Sequence, residues 1–167
     1  MKKYVILFLI QVFSFSASAN NIPTELGQYG DWTAYSYKEG KHLICYMAST
    51  PKNDEGNYKK RGDIYAVVTH RPADKSYNVV NFVAGYNYKP NSKVVVKIGT
   101  TSFNNLFTNL DNAWAPDNFT DKKLVDAMKR GQKMIVEGTS HKGTKTKDTY
   151  SLSGFTGAYR AISAKCK

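Results

Sequence analysis

Several kinds of residue are scarce in this sequence, and their scarcity excludes whole classes of protein. Cysteine occurs at two of 167 positions and no Cys-x-x-Cys pair is present, which excludes zinc ribbons and disulfide-dense miniature scaffolds. The three histidines are scattered without metal-ligand spacing, and no glycine-rich phosphate loop follows an apolar strand. The 13 acidic residues are spread out, so they provide no candidate carboxylate pair for a glycosidase. We therefore predict a protein that is not an enzyme and that holds no metal and no cofactor.

Long apolar runs are also absent, except for a short one at the N-terminus. Met1–Lys3 carries positive charge, Tyr4–Phe15 is mostly apolar, and Ala17–Ala19 matches the A-x-A pattern of a cleavage site. This order is typical of a secretory signal peptide, and the apolar run is shorter than the about 20 residues that a membrane helix needs. We expect cleavage after Ala19 and a periplasmic or secreted protein that is not integral to the membrane.

Cleavage there would divide the chain into three parts. These are the signal peptide over residues 1–19, a flexible leader over residues 20–28 and one domain over residues 29–167. The net charge falls from +11 to +9 because Lys2 and Lys3 are removed. The remaining 148 residues are enough to bury roughly 68–70% of the unfolded surface, so we expect a hydrophobic core.

The two cysteines, Cys45 and Cys166, lie near the ends of the predicted domain. In an oxidising compartment such a pair predicts a disulfide. The closed loop would contain 122 residues. Closing a loop of that length stabilises a fold by ~4–5 kcal/mol in the chain-entropy estimate. The alternative is a catalytic thiol, which requires a nearby base and an electropositive pocket.

Short segments rich in Val, Ile, Tyr, Phe and Thr alternate with turn residues from Tyr29 onward, which is typical of an all-β domain. The predicted strands are Asp31–Tyr37, His42–Ser49, Asp63–His70, Asn78–Gly85, Lys93–Ile98, Ser102–Thr108, Met134–Ser140 and Thr149–Ser153. Glu39–Gly40 is predicted to be a hairpin turn, and His141–Lys147 a longer exposed loop between paired strands. We predict a two-layer sandwich of seven or eight strands with peripheral helices.

Two segments have helical spacing. Thr120–Asp121 is expected to cap the first helix, which would end at Gly131. The second helix is expected to begin at Ser153 or Gly154. Its apolar stripe consists of Phe155, Ala158, Tyr159, Ile162 and Cys166. This stripe places Cys166 on the buried face of the helix.

Basic residues exceed acidic ones by 24 to 13 and form local clusters. Such an excess favours anionic partners, and an exported protein meets lipopolysaccharide, phospholipid heads and glycans. Nucleic acid is disfavoured, since it would require an aromatic groove for its bases. The alternative is a genome-wide codon bias, because 20 of the 24 basic residues are Lys. The residues predicted to form one basic partner-binding face are Lys129, Arg130, Lys133, Lys142, Lys145 and Lys147.

A hydrolase is a weaker alternative, with His70, Ser140 and Asp148 as candidate catalytic residues. Gly138–Lys142 begins like a nucleophile elbow, but position 142 is Lys where that motif has Gly, and a turn and a strand follow where it needs a helix. Trp32 and Trp114 are predicted to be core residues rather than ligand-stacking ones, because each ring buries a large apolar area.

The order of several short motifs resembles the invasion-associated locus B proteins of bacteria. The motifs are Gly30–Thr33, Cys45–Tyr46, Ser49–Lys52, Val83–Tyr86, Ser92–Val94, Phe103–Phe107, Ala113–Ala115, Leu124–Gly131, Ser140–Thr144 and Tyr150–Phe155, with Ala158 and Cys166 at the end. The resemblance covers the chain from Tyr29 to Cys166. It implies an exported, immunoglobulin-like β-sandwich without a known catalytic residue, in a family named for a role in host-cell entry.

The sequence therefore predicts a non-enzymatic envelope protein that takes part in host-cell invasion or interaction by binding an envelope or host-surface component. The alternative is a housekeeping adaptor or chaperone-like factor of the periplasm that binds another envelope protein through exposed strand edges or apolar surface.

Overall fold

Antiparallel strands account for about half of residues 22–167, the part of the chain that the computed structural model describes. The strands are β1 (Thr24–Tyr29), β2 (Trp32–Glu39), β3 (His42–Ser49), β4 (Asn53–Gly56), β5 (Tyr65–Arg71), β6 (Ser76–Val83), β7 (Lys93–Ile98), β8 (Thr101–Asn109), β9 (Asn112–Trp114), β10 (Lys133–Thr139) and β11 (Lys145–Ser151). Two α-helices, α1 (Asn118–Arg130) and α2 (Phe155–Lys165), and a short 3-10 turn at Pro72–Asp74 complete the fold. The predicted all-β class with two short helices is confirmed.

The strands form one continuous sheet that folds back on itself. Its order is β1-β2-β3-β5-β6-β9-β8-β7-β10-β11-β4, with every pairing antiparallel. The indole N–H of Trp32, in β2, donates to the carbonyl oxygen of Ser151, in β11, at 3.0 Å. Because seven strands separate β2 from β11 in the sheet, this bond brings its two halves together as the facing layers of a sandwich.

The core lies between these layers and under the helices. Alternate residues of several strands point inward, as in β5, where Ala66, Val68 and His70 are buried and the residues between them are half-buried. Trp32 is fully buried, and its ring packs edge-on against Phe155 of α2 with centroids 4.9 Å apart. Trp32 is therefore a core residue, as predicted.

Helix α1 begins earlier than predicted and ends where predicted. Its N-cap is Asp117, whose carboxylate accepts the backbone N–H of Thr120 at 2.7 Å, so Thr120 and Asp121 lie inside the first turn. The predicted cap at Thr120–Asp121 is wrong, and Asp121 is instead buried against β6. Gly131 ends the helix with an ordinary negative φ of −83°. Its lack of a side chain is required by packing, because a Cβ there would lie 2.5 Å from Cγ2 of Ile98.

Helix α2 carries the predicted apolar stripe and brings Cys166 to the sheet. Gly154 is the N-cap, and Phe155, Ala158 and Ile162 are buried. Cys166 forms a disulfide with Cys45 of β3, with Cα atoms 5.9 Å apart and 121 positions between the two residues in sequence. The predicted disulfide is confirmed, and it ties the C-terminus to an inner strand.

Three strands were missing from the prediction, and one boundary was wrong. Residues 24–28, predicted to belong to a flexible leader, lie in β1, which pairs with β2 through a bulge between Glu25 and Gly27. Polar β4 and three-residue β9 have little hydrophobic pattern to reveal them. β11 begins at Lys145, so the predicted loop His141–Lys147 is shorter than expected. The predicted signal peptide over residues 1–19, and residues 20 and 21 of the leader, lie outside the described residues.

Candidate functional site

A basic cavity lies where the β10–β11 turn meets the segment that follows β4. β4 pairs with β11, and Gly56 at the end of β4 is opposite Thr146 near the start of β11. Residues 57–61, which follow β4, therefore run beside the β10–β11 turn. The Thr144 hydroxyl donates to the carbonyl oxygen of Asn57 at 3.5 Å across this junction. The cavity has a volume of about 380 Å³. Its lining consists of Asn57, Tyr58, Lys59, Lys60, Arg61, Tyr86, Ser140, His141, Lys142, Thr144 and Thr146.

The charge of this lining is strongly positive. Lys59, Lys60 and Lys142 are exposed, and no Asp or Glu is among the described residues that line the cavity. Walls of one charge sign concentrate the electrostatic potential in a concave site and attract ions of the opposite sign. The arrangement can therefore attract an anion.

At the floor of the basic cavity, Arg61 forms a buried ion pair with Asp148, which does not itself line the cavity. The two terminal nitrogens of Arg61 donate to the two carboxylate oxygens of Asp148 at 2.6 Å each, and Nε donates to the carbonyl oxygen of Ala84 at 2.7 Å. The side chains of Arg61 and Asp148 are 3% and 5% exposed. Burial alone would lower the pKa of Arg61, but the hydrogen bonds and the charge of Asp148 raise it. The guanidinium stays charged, and its charge is balanced within the floor.

Two tyrosine rings pack against this ion pair. The Arg61 guanidinium carbon lies 5.4 Å from the ring centroid of Tyr58 and 5.0 Å from that of Tyr86. The Tyr86 hydroxyl shares a hydrogen bond of 2.5 Å with the Thr146 hydroxyl. Gly138 of β10 makes room for the aromatic packing, because a Cβ there would lie 3.0 Å from the Tyr86 hydroxyl oxygen. Cation–π contacts and hydrogen bonds thus hold both rings in place.

The β10–β11 turn is closed by its own backbone. The N–H of Ser140 donates to the carbonyl oxygen of Thr144 at 2.9 Å, and the N–H of Thr144 returns a bond to the Ser140 hydroxyl at 3.1 Å. Gly143 occupies the left-handed region, with a φ of +85°. Lys142 is carried at the tip of this ordered turn, beside the cavity.

The six basic residues predicted to form one face lie in two separate places. In the β10–β11 register Lys133 pairs with Ser151 at one end, and Thr139 pairs with Lys145 at the other. Six residues of extended strand separate these ends by about 20 Å. The six residues therefore form two groups at opposite ends of β10, and their joint role as one partner-binding face stays a prediction. The binding role of the individual residues stays a prediction.

Lys142 lines the basic cavity, whereas Lys145 and Lys147 lie on the outer face of β11. They border a neighbouring cavity of about 550 Å³ in which acidic residues are present. The ammonium of Lys147 lies 3.1 Å from a carboxylate oxygen of Glu55. Lys147 is therefore already paired, and Lys145 extends the positive rim of the turn.

At the opposite end of β10, the ammonium of Lys129 also contacts neighbouring side chains. Its ammonium lies 3.7 Å from the ring centroid of Tyr159 and 3.9 Å from the Asp126 carboxylate. Arg130 and Lys133 are exposed nearby. This group is a partly neutralised helix end rather than a concave site.

The three candidate hydrolase residues do not form a triad. Asp148 is bound to Arg61, and the hydroxyl of Ser140 accepts the N–H of Thr144. Within residues 22–167 no hydrogen bond joins any two of the three. The predicted catalytic arrangement of His70, Ser140 and Asp148 is therefore wrong.

His70 belongs to a buried cluster beside the disulfide. Its Nδ1 accepts the N–H of Asn78 at 3.1 Å, so Nε2 carries the proton and donates to the Ser163 hydroxyl at 3.1 Å. Burial lowers the pKa of His70. Because His70 is opposite Cys45 in the β3–β5 register, this cluster helps to hold helix α2 on the sheet.

A third cavity, of about 530 Å³, crosses the outer face of β2, β3, β5 and β6. Its aromatic and aliphatic lining includes Tyr37, Ile44, Tyr46, Val79 and Trp114. Trp114 is half-buried and lines this cavity, so its prediction as a core residue is wrong. β9 pairs with β6, and the indole of Trp114 in β9 faces outward into this cavity. We call this surface the aromatic face.

The predicted absence of a membrane span and of a metal site can be compared with the described residues. Over residues 22–167 no helix is long and apolar enough to cross a membrane. The same residues contain no group of three or more His, Cys, Asp or Glu side chains placed to hold a metal ion.

The sequence was also compared with protein families. The family described as Invasion associated locus B (IalB) protein matches residues 32–163. The chain belongs to the IalB family. Searches of curated proteins and of solved structures returned no match. The matched region includes every lining residue of the basic cavity, and it includes Cys45 but ends before Cys166.

Sequence reasoning found part of this site. The predicted partner-binding residues include Lys142, which lines the cavity, but not Lys59 or Lys60. Tyr58, Tyr86 and the pairing of Arg61 with Asp148 were missed, because 87 positions separate the two partners. The only feature of the sequence that pointed to Tyr86 was its place in the motif Val83–Tyr86, one of those that resemble the family.

Proposed function

We propose that this IalB-family protein is an exported binding protein of the bacterial envelope, without catalytic activity, that contacts an anionic component through the basic cavity. The observation that carries the proposal is the convergence of Lys59, Lys60 and Lys142 on one concave site with a fixed floor. The anionic component belongs to the envelope or to a host surface, and the family description associates such proteins with invasion.

Export is part of the same proposal. The predicted signal peptide would be cleaved after Ala19, and the Cys45–Cys166 disulfide suits an oxidising compartment. Fractionation followed by N-terminal sequencing tests this point. We expect the periplasmic or released protein to begin at Asn20. Recovery of the unprocessed chain in the cytoplasm would contradict export.

Retention on immobilised heparin and on lipopolysaccharide tests the binding role. We expect retention that weakens steeply with salt, because exposed charges are screened within about 10 Å at 0.1 M ionic strength. The variant Lys59→Gln/Lys60→Gln/Lys142→Gln should elute at much lower salt. The matched control Lys129→Gln/Arg130→Gln/Lys133→Gln removes the same charge at the other end of β10. Equal losses in both variants would show that net charge alone decides retention.

The aromatic face supports a second candidate function, that of an adaptor for another envelope protein. Tyr46 stacks on Tyr35 with ring centroids 5.1 Å apart, which presents a broad aromatic surface on an ordered sheet. Such surfaces mark protein interaction sites. A pull-down that recovers one envelope protein at high salt, and that fails with Tyr46→Ser/Trp114→Ser, would favour this role over anion binding.

A further inference from the structure

We infer that the ligand of the basic cavity is an anionic saccharide, a sugar ring carrying phosphate or sulfate; this inference rests on the proposed function. Three uncompensated lysines at the rim call for a ligand with more than one negative charge. A cavity of about 380 Å³ is at the lower end of the size that small-molecule sites have, which matches a short saccharide rather than a macromolecular surface.

The hydroxyl groups of the cavity distinguish a saccharide from a simple anion. Ser140 is 6% exposed, and its hydroxyl oxygen accepts the N–H of Thr144. That contact leaves the Ser140 hydroxyl proton available as a donor. The Tyr86–Thr146 pair shares one hydrogen bond between two hydroxyls, so one further proton remains available there. Buried donors beside a cationic rim suit a ligand with several hydroxyl oxygens.

The tyrosines favour a sugar over a nucleobase. A base requires a free aromatic face on which to stack. The guanidinium of Arg61 already covers one face of the Tyr58 ring and one face of the Tyr86 ring, within 5.4 Å of each centroid, which reduces the aromatic surface on which a base could stack. Ring edges and lysine stems offer apolar contact to the C–H groups of a sugar while their polar ends stay hydrated. The lining therefore matches the mixed polar and apolar surface of a saccharide.

Titration calorimetry of the mature, oxidised protein with four probes tests the inference. The probes are a heparin tetrasaccharide, the deacylated bisphosphorylated glucosamine disaccharide of lipopolysaccharide, inorganic tripolyphosphate and an oligothymidylate. We expect both saccharides, or one of them, to bind at least about tenfold more tightly than tripolyphosphate and oligothymidylate at physiological salt. The preferred saccharide then identifies the source, host glycan or bacterial envelope.

Variants that remove a hydroxyl separate saccharide recognition from charge attraction. Ser140→Ala and, independently, Tyr86→Phe/Thr146→Val, which removes both hydroxyls of the shared hydrogen bond, should each weaken saccharide binding severalfold and leave tripolyphosphate binding unchanged. Lys142→Gln should weaken all four probes together. Equal affinity for all four probes would overturn the saccharide inference, while the proposed anion-binding function would stand. Saccharide binding that is insensitive to the Ser140, Tyr86/Thr146 and Lys142 variants would overturn the assignment to this cavity.

Discussion

Arg61 and Asp148 form a bidentate ion pair that joins the segment after β4 to strand β11. Both nitrogen–oxygen distances are 2.6 Å, and both side chains are almost fully buried. A third bond from Arg61 reaches the carbonyl oxygen of Ala84. Three parts of the chain that are distant in sequence therefore meet at one guanidinium, and the position of the basic cavity depends on it.

Replacing Arg61 by Met should destabilise the protein strongly, because the Asp148 carboxylate would remain buried without a partner. Loss of one member of a buried pair costs about 3–5 kcal/mol. Urea denaturation of Arg61→Met, Asp148→Leu and the double variant measures this effect. The double variant should lose less than the sum of the single ones. The exposed pair Lys97–Glu137 is the matched control, and Lys97→Met should cost less than about 1 kcal/mol.

Two glycines with nearly the same φ should respond very differently to substitution by alanine. Gly154 and Gly143 have φ values of +84° and +85°. A Cβ at Gly154 would collide with the carbonyl oxygen of Tyr29, whereas none of the surrounding atoms lies within 4 Å of a Cβ at Gly143. Gly143→Ala should cost about 1–2 kcal/mol for the left-handed conformation alone. Gly154→Ala should cost clearly more, as measured by thermal unfolding, and equal losses would contradict the close packing of β1 on helix α2.

His70 should make the protein less stable in mild acid. The folded state keeps its histidine neutral because burial lowers the pKa, whereas the unfolded chain takes up the proton near pH 6.5. Below that pH the unfolded state binds more protons, so the free energy of unfolding falls as the pH decreases. Compared with the parent, His70→Gln should lose this dependence, while the exposed His42→Gln should keep it. If the difference in free energy of unfolding between the parent and His70→Gln stays constant from neutral pH to pH 5, the buried imidazole is not kept neutral as described.

Asp121 should have the opposite effect on the pH dependence of stability, because its contribution to the free energy of unfolding falls as the pH rises. Burial raises its pKa to about 6, although its Oδ1 accepts the N–H of Val80 at 2.8 Å. The unfolded carboxyl titrates near pH 4, so between these values the folded state binds more protons and stability falls as the pH rises. Asp121→Asn keeps an acceptor oxygen for Val80 and removes the charge. It should be the more stable protein at pH 7, by up to roughly 3 kcal/mol, and the gain should disappear near pH 4. A variant that is less stable than the parent at pH 7 would contradict this account.

The fold could be predicted where hydrophobic patterns were strong. All eight predicted strands correspond to strands of the sheet, and the stripe of helix α2 correctly placed Cys166 against β3. β4, with the sequence Asn-Asp-Glu-Gly, was missed because all four residues are exposed and contribute no apolar pattern. It is held by pairing with β11, which is a tertiary effect that local propensity does not report.

The candidate site could be predicted only in part. Lys142 was identified because it is in a polar loop, and it does line the basic cavity. Lys129 and Lys133 were predicted to belong to the same face, and the register of β10 with β11 places them at the opposite end of the strand from Lys142. The residues that give the cavity its shape, Arg61 and Tyr86, meet through contacts between distant parts of the chain. Such contacts leave no pattern in a single sequence.

Chemical-shift mapping tests the central claim most directly. Uniformly ¹⁵N-labelled protein is titrated with the heparin tetrasaccharide, and backbone amide shifts are followed in the absence and presence of added salt. We predict that the largest changes fall on residues 57–61 and 140–146, around the basic cavity, and decrease with salt. Changes concentrated on the aromatic face around Tyr46 and Trp114, or on the end of helix α1 around Lys129, would contradict the assignment of the binding site.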